Sequence, residues 1–443
     1  MTQSSSNFKL ILVTAFVGAA VLGMLVFAGI IKFGNSGTEQ IEGSVTLWGT
    51  LDSRAMNSFM NDYNQRNSKL TVTYVEKNPE TFAQSLVEAI ASGTAPDLVL
   101  LSDSYLYTLQ DKLTLIPYTS LPVRTYQDTF ISGAGIFTVP EGILALPWAA
   151  DPIVMYYNKT MLEGASMAKP PRTWQEFSDS IPLLTQKQSD LTLTQSGAAL
   201  GTFKNVAHAK DILALLFYQG GSSFITRSSI GLEAHFRPDA GDRDSEVPVS
   251  VLDFYMAFAD PVKQVYSWNN GQVLDRDAFL TSSLAYYFGY GSELPGIRAE
   301  NPNLNFDVTP PPQPQAGSVI TTGRIYGIAI PKTAPDQLLS YTAATLLADA
   351  ASAKGLVEKA GTELALMPVR RDVLAEKPAA DPYLTLFYNA ALVTKPWLDL
   401  NPKVSDEIFG ALINDINSGI LTVDQALAKA AAQIASRSIR GAD

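Results

Sequence analysis

Between residues 45 and 101 the apolar positions switch back and forth between two periods. Val45 to Trp48 is a short apolar run of strand length. Ala55, Met56, Phe59, Met60 and Tyr63 then recur at helical spacing, with Asp52 or Ser53 placed to cap the helix start. Leu70, Val72 and Tyr74 alternate as a strand does, and Phe82, Leu86 and Ile90 mark a second helix that Gly93 closes. Leu98 to Leu101 is unbroken apolar sequence, the pattern of a strand covered on both faces of a parallel sheet. Strand, helix, strand, helix, strand predicts an α/β unit.

The same reading continues downstream. In "LPWAADPIVMYYNKTMLEGASMAKPPRTWQEF", residues 146–177, Ile153 to Tyr157 is a buried strand punctuated by Pro147 and Pro152. Pro170-Pro171 makes a connector, and Thr173 with Glu176 three residues on is a capping box that starts a helix. Trp174 lies on that helix and reads as core packing. Ala234 to Pro248 reads as an exposed polar loop, and Pro310 to Pro314 as a connector, since its prolines suit neither a helix nor a central strand. Ile325 to Pro331 is a strand, followed by one helix from about Pro335 to Asp349 and another ending near Gly361. Ile408, Phe409, Leu412, Ile413 and Ile416 form an apolar stripe stopped by Gly419, and Thr422 with Gln425 caps the last helix.

The amino-terminal pattern is of another kind. Lys9 and Lys32 bracket Leu10 to Ile31, 22 residues without a charge. About 20 apolar residues cross a bilayer, whereas a cleaved signal has an apolar region of roughly 7–15 residues followed by small residues at a cut site. Gly18-Ala19-Ala20 sits inside the run and Ala28-Gly29-Ile30 is a poor site, so the expectation is an uncleaved transmembrane signal anchor over residues 10–32. Residues 1–9 would then be a cytoplasmic tail and 33–43 a tether.

Charge and composition narrow the partners. The net charge of −11 falls entirely on the body, because Lys9 and Lys32 cancel Glu39 and Glu42. An acidic body repels phosphate backbones and argues against nucleic acid. With no cysteine, disulfides, thiolate metal sites, cysteine nucleophiles and a cysteine-built lipid anchor are excluded. At 443 residues the chain is long enough for two domains with full cores.

Signatures of catalysis are sparse. The two histidines, His208 and His235, sit in no metal-binding pattern; His208 is followed by Asp211, but no G-x-S-x-G elbow accompanies them. Ser166 to Lys169 fits S-x-x-K, yet Pro170-Pro171 follows where that motif needs a continuing helix. No P-loop or dinucleotide fingerprint occurs. A pair of carboxylates for sugar cleavage can be drawn from 43 acidic residues, which leaves a carbohydrate-cleaving enzyme as one alternative with nothing to motivate it.

The order of residue types in three stretches resembles the family 1 extracellular solute-binding proteins. Leu146-Pro147, Tyr156-Tyr157-Asn158-Lys159 and Pro171 to Phe177 match one family signature; Ser92 to Asp103, "SGTAPDLVLLSD", matches a second; "SGILTVDQAL" matches the carboxy-terminal pattern. The resemblance covers about Val45 to Ile434. It implies a two-lobed α/β fold of the periplasmic-binding-protein-like type II class with a hinge, here preceded by one transmembrane helix. Residues 44–149 with 313–378 would form the first lobe, and 150–312 with 379–443 the second.

By the same resemblance Trp48 and Asp103 would face a ligand from the first lobe, Trp148 and Asp151 from the first crossover, and Tyr287 and Tyr290 from the second lobe. Arg324 and Trp397 complete the candidate set. Aromatic faces suit the C–H faces of sugars, and carboxylates and guanidinium groups suit their hydroxyls. Trp48, Trp148, Tyr287, Tyr290 and Trp397 are read as loop positions where strands end. Gly289 and Gly291 flank Tyr290 where some family members have Gly-Pro-Trp. The resemblance implies capture of a small solute, with a sugar or oligosaccharide foremost, for delivery to the permease subunits of an ABC importer. The body would be monomeric and extracellular on a single-pass anchor, with no metal or cofactor. A membrane-anchored sensor or surface-interaction module on the same fold is the other alternative.

Overall fold

The computed structural model describes residues 42–236, 246–315, 317, 319–360, 363–376 and 381–438. The expected membrane span at Leu10 to Ile31 lies outside these residues, and no described helix is long and apolar enough to cross a membrane. In chain order the major elements begin with β1 (Gly43–Gly49), α1 (Ser53–Arg66), β2 (Leu70–Glu76), α2 (Phe82–Ser92), β3 (Leu98–Ser102) and α3 (Asp103–Leu109). Then come β4 (Leu146–Asn158), α4 (Trp174–Leu184), β5 (Leu193–Ala198), α5 (Ala209–Gln219), α6 (Asp275–Leu280), β6 (Leu284–Tyr290), β7 (Phe306–Thr309) and β8 (Thr321–Ala329). Helices α7 (Gln337–Leu347), α8 (Ala350–Ala360), α9 (Pro382–Val393), α10 (Pro402–Asn417) and α11 (Val423–Ser438) complete the chain.

The chain divides into two compact units: one runs to Ala150 and resumes over Ile325–Lys377, the other comprises Asp151–Arg324 and Pro378–Asp443. In the first unit β1 lies between β2 and β3, parallel to both, with Leu47 opposite Tyr74 and Leu98. β8 adds antiparallel to β3, pairing Tyr326 with Ser102. Helix α1 turns Met56, Phe59, Met60 and Tyr63 inward, each such burial contributing roughly 1.5–3 kcal/mol before the entropy of ordering it is counted. The Asp52 carboxylate caps it, accepting from the Arg54 and Ala55 N–H groups at 3.0 Å. Gly93 closes α2 at φ 73°, a left-handed conformation that glycine adopts without strain.

The second unit is built on the latter half of β4. β6 pairs antiparallel with it, Tyr287 opposite Tyr156, while β7 sets Val308 against the same Tyr156. β5 runs parallel to β6. Trp174 packs as expected: its ring stacks on Phe288 at 5.9 Å and meets Phe177 edge-on, while its indole N–H donates to Gln219 Oε1 at 2.6 Å. The capping box at α4 is only half made. Thr173 Oγ1 accepts from the Glu176 N–H, but the Glu176 carboxylate accepts from the Arg172 N–H instead of reaching back to the cap. At α11 both bonds of the box between Thr422 and Gln425 are present.

Two expected boundaries move. Residues 313–324 belong to the second unit, because polar side chains there replace the ladder that the proline run cannot supply. Gln313 Nε2 donates to the Pro311 and Ile320 carbonyls, its Oε1 accepts from the Ile320 N–H, and Gln219 Nε2 donates to the Pro312 and Ile320 carbonyls. Thr321 Oγ1 then donates to the Ile153 carbonyl at 2.7 Å, tying the start of β8 to β4. Gly323 sits so close that a Cβ there would overlap the Asp151 carbonyl oxygen. The second change is at the polar loop ending at Pro248. A helix, Val247–Ala257, already starts there with its proline in the first turn, where no N–H is required. Residues 237–245 of that loop lie outside the described residues.

Candidate functional site

Three of the eight candidate residues fall in the first unit, in separate settings. Trp48 is half-buried near the carboxyl end of β1, and the Lys77 ammonium lies 3.5 Å from its ring centroid. Asp103 opens α3 immediately beyond β3 and is buried; its carboxylate accepts from the Ile325 N–H at 3.2 Å. The carboxyl ends of parallel strands are where open α/β sheets bind ligands, so both positions suit recognition. Trp148 is 3% exposed within β4, edge-on to Phe59 at 5.6 Å, and its buried indole N–H has no hydrogen-bond partner.

The other five, Asp151, Tyr287, Tyr290, Arg324 and Trp397, are brought together in the second unit by residues that had no assigned role. Glu293, just past β6, is the centre. Its Oε1 accepts from the Tyr290 N–H at 2.8 Å and pairs with His208 Nε2 at 2.7 Å, while its Oε2 accepts from the Tyr287 hydroxyl at 2.6 Å. Arg276 Nε stands 3.5 Å from Oε2. Burial opposes the charge on Glu293, but His208, Tyr287 and the Tyr290 N–H outweigh it and hold its pKa down to about 2. Burial likewise opposes the charge on His208, yet Glu293, Asp211 and Asp275 raise its pKa.

Around this pair the remaining groups are fixed in turn. Asp151 accepts from the Ser292 N–H at 3.0 Å and the Ser292 hydroxyl at 2.6 Å; burial nevertheless pushes its pKa up to about 6, with Arg324 partly opposing. Asp275 in α6 accepts from the Ala207 and Arg276 N–H groups, and burial raises it to about 6 as well. The Tyr290 hydroxyl donates to Asp211 Oδ2 at 2.8 Å, and Trp397 Nε1 donates to Asp211 Oδ1 at 2.9 Å. The half-buried Arg324 guanidinium lies over the Tyr290 ring, 4.5 Å from its centroid, and His208 meets that ring edge-on at 4.7 Å.

Of the five aromatics expected at loop positions, Trp397 lies in one, just past the short strand Thr394–Lys395, and the other four lie within strands. Trp48 lies in β1, Trp148 in β4, and Tyr287 and Tyr290 in β6. The reason is that the pairing of β6 with β4 runs on as far as Tyr290 opposite Ile153. Tyr287, Tyr290 and Trp397 are 1%, 3% and 4% exposed, their polar tips spent on internal acids. Trp397 also packs edge-on to Phe224 and Phe409. Arg324 is the more exposed donor of the second-unit set. Sequence reading passed over Glu293 and Ser292, and noted Asp211 only beside His208. The His208-x-x-Asp211 spacing was visible, but nothing local tells that Glu293, 85 residues away, completes it.

Two α/β units, with β4 and β8 each running from one into the other, define a periplasmic-binding-protein-like fold. A family model described as bacterial extracellular solute-binding protein matches residues 58–385, and the chain belongs to that family. None of the curated proteins compared matches it. Among solved structures, the fold is similar to an ABC transporter solute-binding protein from Thermotoga lettingae TMO bound with α-D-tagatose. That match has TM-score 0.66 and 20% identity, covering 89% of this chain and 100% of that one. A cyclic α-maltosyl-1,6-maltose binding protein from Arthrobacter globiformis gives TM-score 0.68 at 20% identity, covering 89% and 99%. Maltose-bound MalE3 of T. maritima gives 0.66 at 17%, covering 89% and 99%. At these identities the likeness is one of fold.

The His208–Glu293 pair makes a pH-dependent contribution whose sign follows from its two shifts. Glu293, with its pKa lowered from 4.5, stabilises the fold above that value and loses the effect as pH falls towards 2. His208, raised above 6.5, stabilises fully below that value and loses the effect as pH climbs through its folded pKa. His208→Gln should therefore lower stability most between pH 4.5 and 6.5, by about 3 kcal/mol for a broken buried pair. The gap to wild type should narrow on either side. Thermal melts across pH check this, and a gap independent of pH would contradict it.

Proposed function

We propose that this protein captures a sugar or oligosaccharide outside the cell and delivers it to the permease subunits of an ABC importer. Membership of the solute-binding family carries the reading, joined to fold neighbours whose solved ligands are tagatose and maltose. The chain acts by binding, and the energy of transport comes from the importer's ATPase. Capture proceeds by closure of the two lobes around the solute, so that contacts from the second lobe are added to those of the first.

The chemistry of the candidate residues favours sugars over other small solutes. A sugar offers C–H faces to rings such as Trp48, and hydroxyls to donors such as Arg324 and the unpartnered indole N–H of Trp148. Residues 10–32 hold the body at the outer face of the membrane as an uncleaved anchor.

A thermal-shift screen of the body after residue 42 against sugars, oligosaccharides, amino acids and polyamines tests the ligand class. A solute that binds only the folded state adds about 2.7 kcal/mol at one hundred times its Kd, which a melting curve resolves. A shift with one sugar class is expected; shifts confined to amino acids or polyamines would overturn the sugar assignment, as would silence across the panel. Membrane fractionation of the full-length chain tests the anchor. The intact chain is expected in the membrane fraction, and a free form lacking residues 1–32 would show that the segment is cleaved.

A further inference from the structure

One carboxylate in the second unit serves two candidate site residues at once. Asp211 lies in the first turn of α5, whose buried residues Ile212, Leu213, Leu215 and Leu216 anchor that helix in the unit. The helix amino terminus favours a negative charge there. Each of its oxygens is used once on this pair: Oδ2 takes the Tyr290 hydroxyl at 2.8 Å and Oδ1 takes the Trp397 indole N–H at 2.9 Å. The two rings come from the end of β6 and from the segment after Lys395, so Asp211 joins three stretches far apart in sequence. Bonds to an ionised acceptor are shorter and stronger than neutral ones, and a divided carboxylate sets both ring orientations together.

Tyr290 in turn carries Arg324, whose guanidinium lies 4.5 Å from the ring centroid, while His208 blocks the ring edge at 4.7 Å. A guanidinium over a ring is held by the ring quadrupole and by its planar stacking, so its position follows that of the ring. We propose that Asp211 is a positioning residue for solute recognition: it fixes Tyr290 and Trp397, and through Tyr290 it places the Arg324 guanidinium that donates to the solute. This rests on the sugar-binding reading above. Asp211 itself acts through the two rings, so replacing it should weaken binding without adding to the loss of Arg324.

The test is a double-mutant cycle in which calorimetry with maltotetraose as probe reads Kd for wild type, Asp211→Asn, Arg324→Gln and the double variant. In Asp211→Asn one of the two acceptor oxygens becomes an NH2 donor, so the Tyr290 hydroxyl and the Trp397 indole N–H can no longer each donate to its own oxygen. Each single change is expected to raise Kd about tenfold, and the double variant to be little worse than either. An unchanged Kd in Asp211→Asn, or losses that multiply, would overturn the proposal. The hold is read separately from the Trp397 indole N–H resonance, which a carboxylate partner moves downfield. It should move upfield in Asp211→Asn, and Trp397→Phe assigns it. If wild type fails to bind maltotetraose or any sugar of the screen, the sugar reading falls. An unmoved indole resonance overturns the positioning role whether or not a sugar binds.

Discussion

Ionising a carboxylate away from water is costly unless donors surround it, and the second unit is arranged around meeting that demand at Glu293. Four groups supply it: the Tyr290 N–H, His208, the Tyr287 hydroxyl and, at longer range, Arg276. Those four come from β6, the residue before α5 and α6, so satisfying one charge fixes the mutual placement of three elements. The arrangement is all-or-none in character. Removing one partner leaves a buried charge uncompensated, and that penalty is larger than the net worth of the pair when intact.

The same demand explains why Tyr287, Tyr290 and Trp397 are buried. A tyrosine or tryptophan whose polar tip is bonded to an internal acid is a fixed plate, and its position is inherited from the acid. Asp211 does this for Tyr290 and Trp397, Glu293 for Tyr287. Asp151 and Asp275 differ from Glu293 in that burial outweighs their donors and charged neighbours and leaves both more readily protonated. The contacts in this unit therefore form two layers: acids that hold rings, and the more exposed Arg324 lying over one of those rings.

Much of the fold was legible in the residue pattern because it is local. The period changes from Val45 to Leu101 anticipated β1, α1, β2, α2 and β3, and Asp52 is the cap at α1. Trp174 was recognisable as a packing residue because it sits one turn from Phe177 on a capped helix; it packs on Phe177 and Phe288 while staying half-buried. What escaped was long-range. The second crossing was expected near Pro312, where the proline run looks like a break, yet Gln313 and Gln219 carry the second unit on to Arg324. Glu293 was hidden because an acid after a strand looks like any surface charge until His208 and Tyr287 are seen beside it. Tyr287 lies inside β6 rather than at its end for the same reason, since pairing with β4 is set by distant sequence and runs on to Tyr290.

Membership of the solute-binding family and the two α/β units are what the proposed capture by closure builds on. Small-angle scattering of the body, with and without a sugar that binds it, tests this most directly. Closure predicts a smaller radius of gyration at saturating sugar. An unchanged radius with the site demonstrably full would contradict capture by closure.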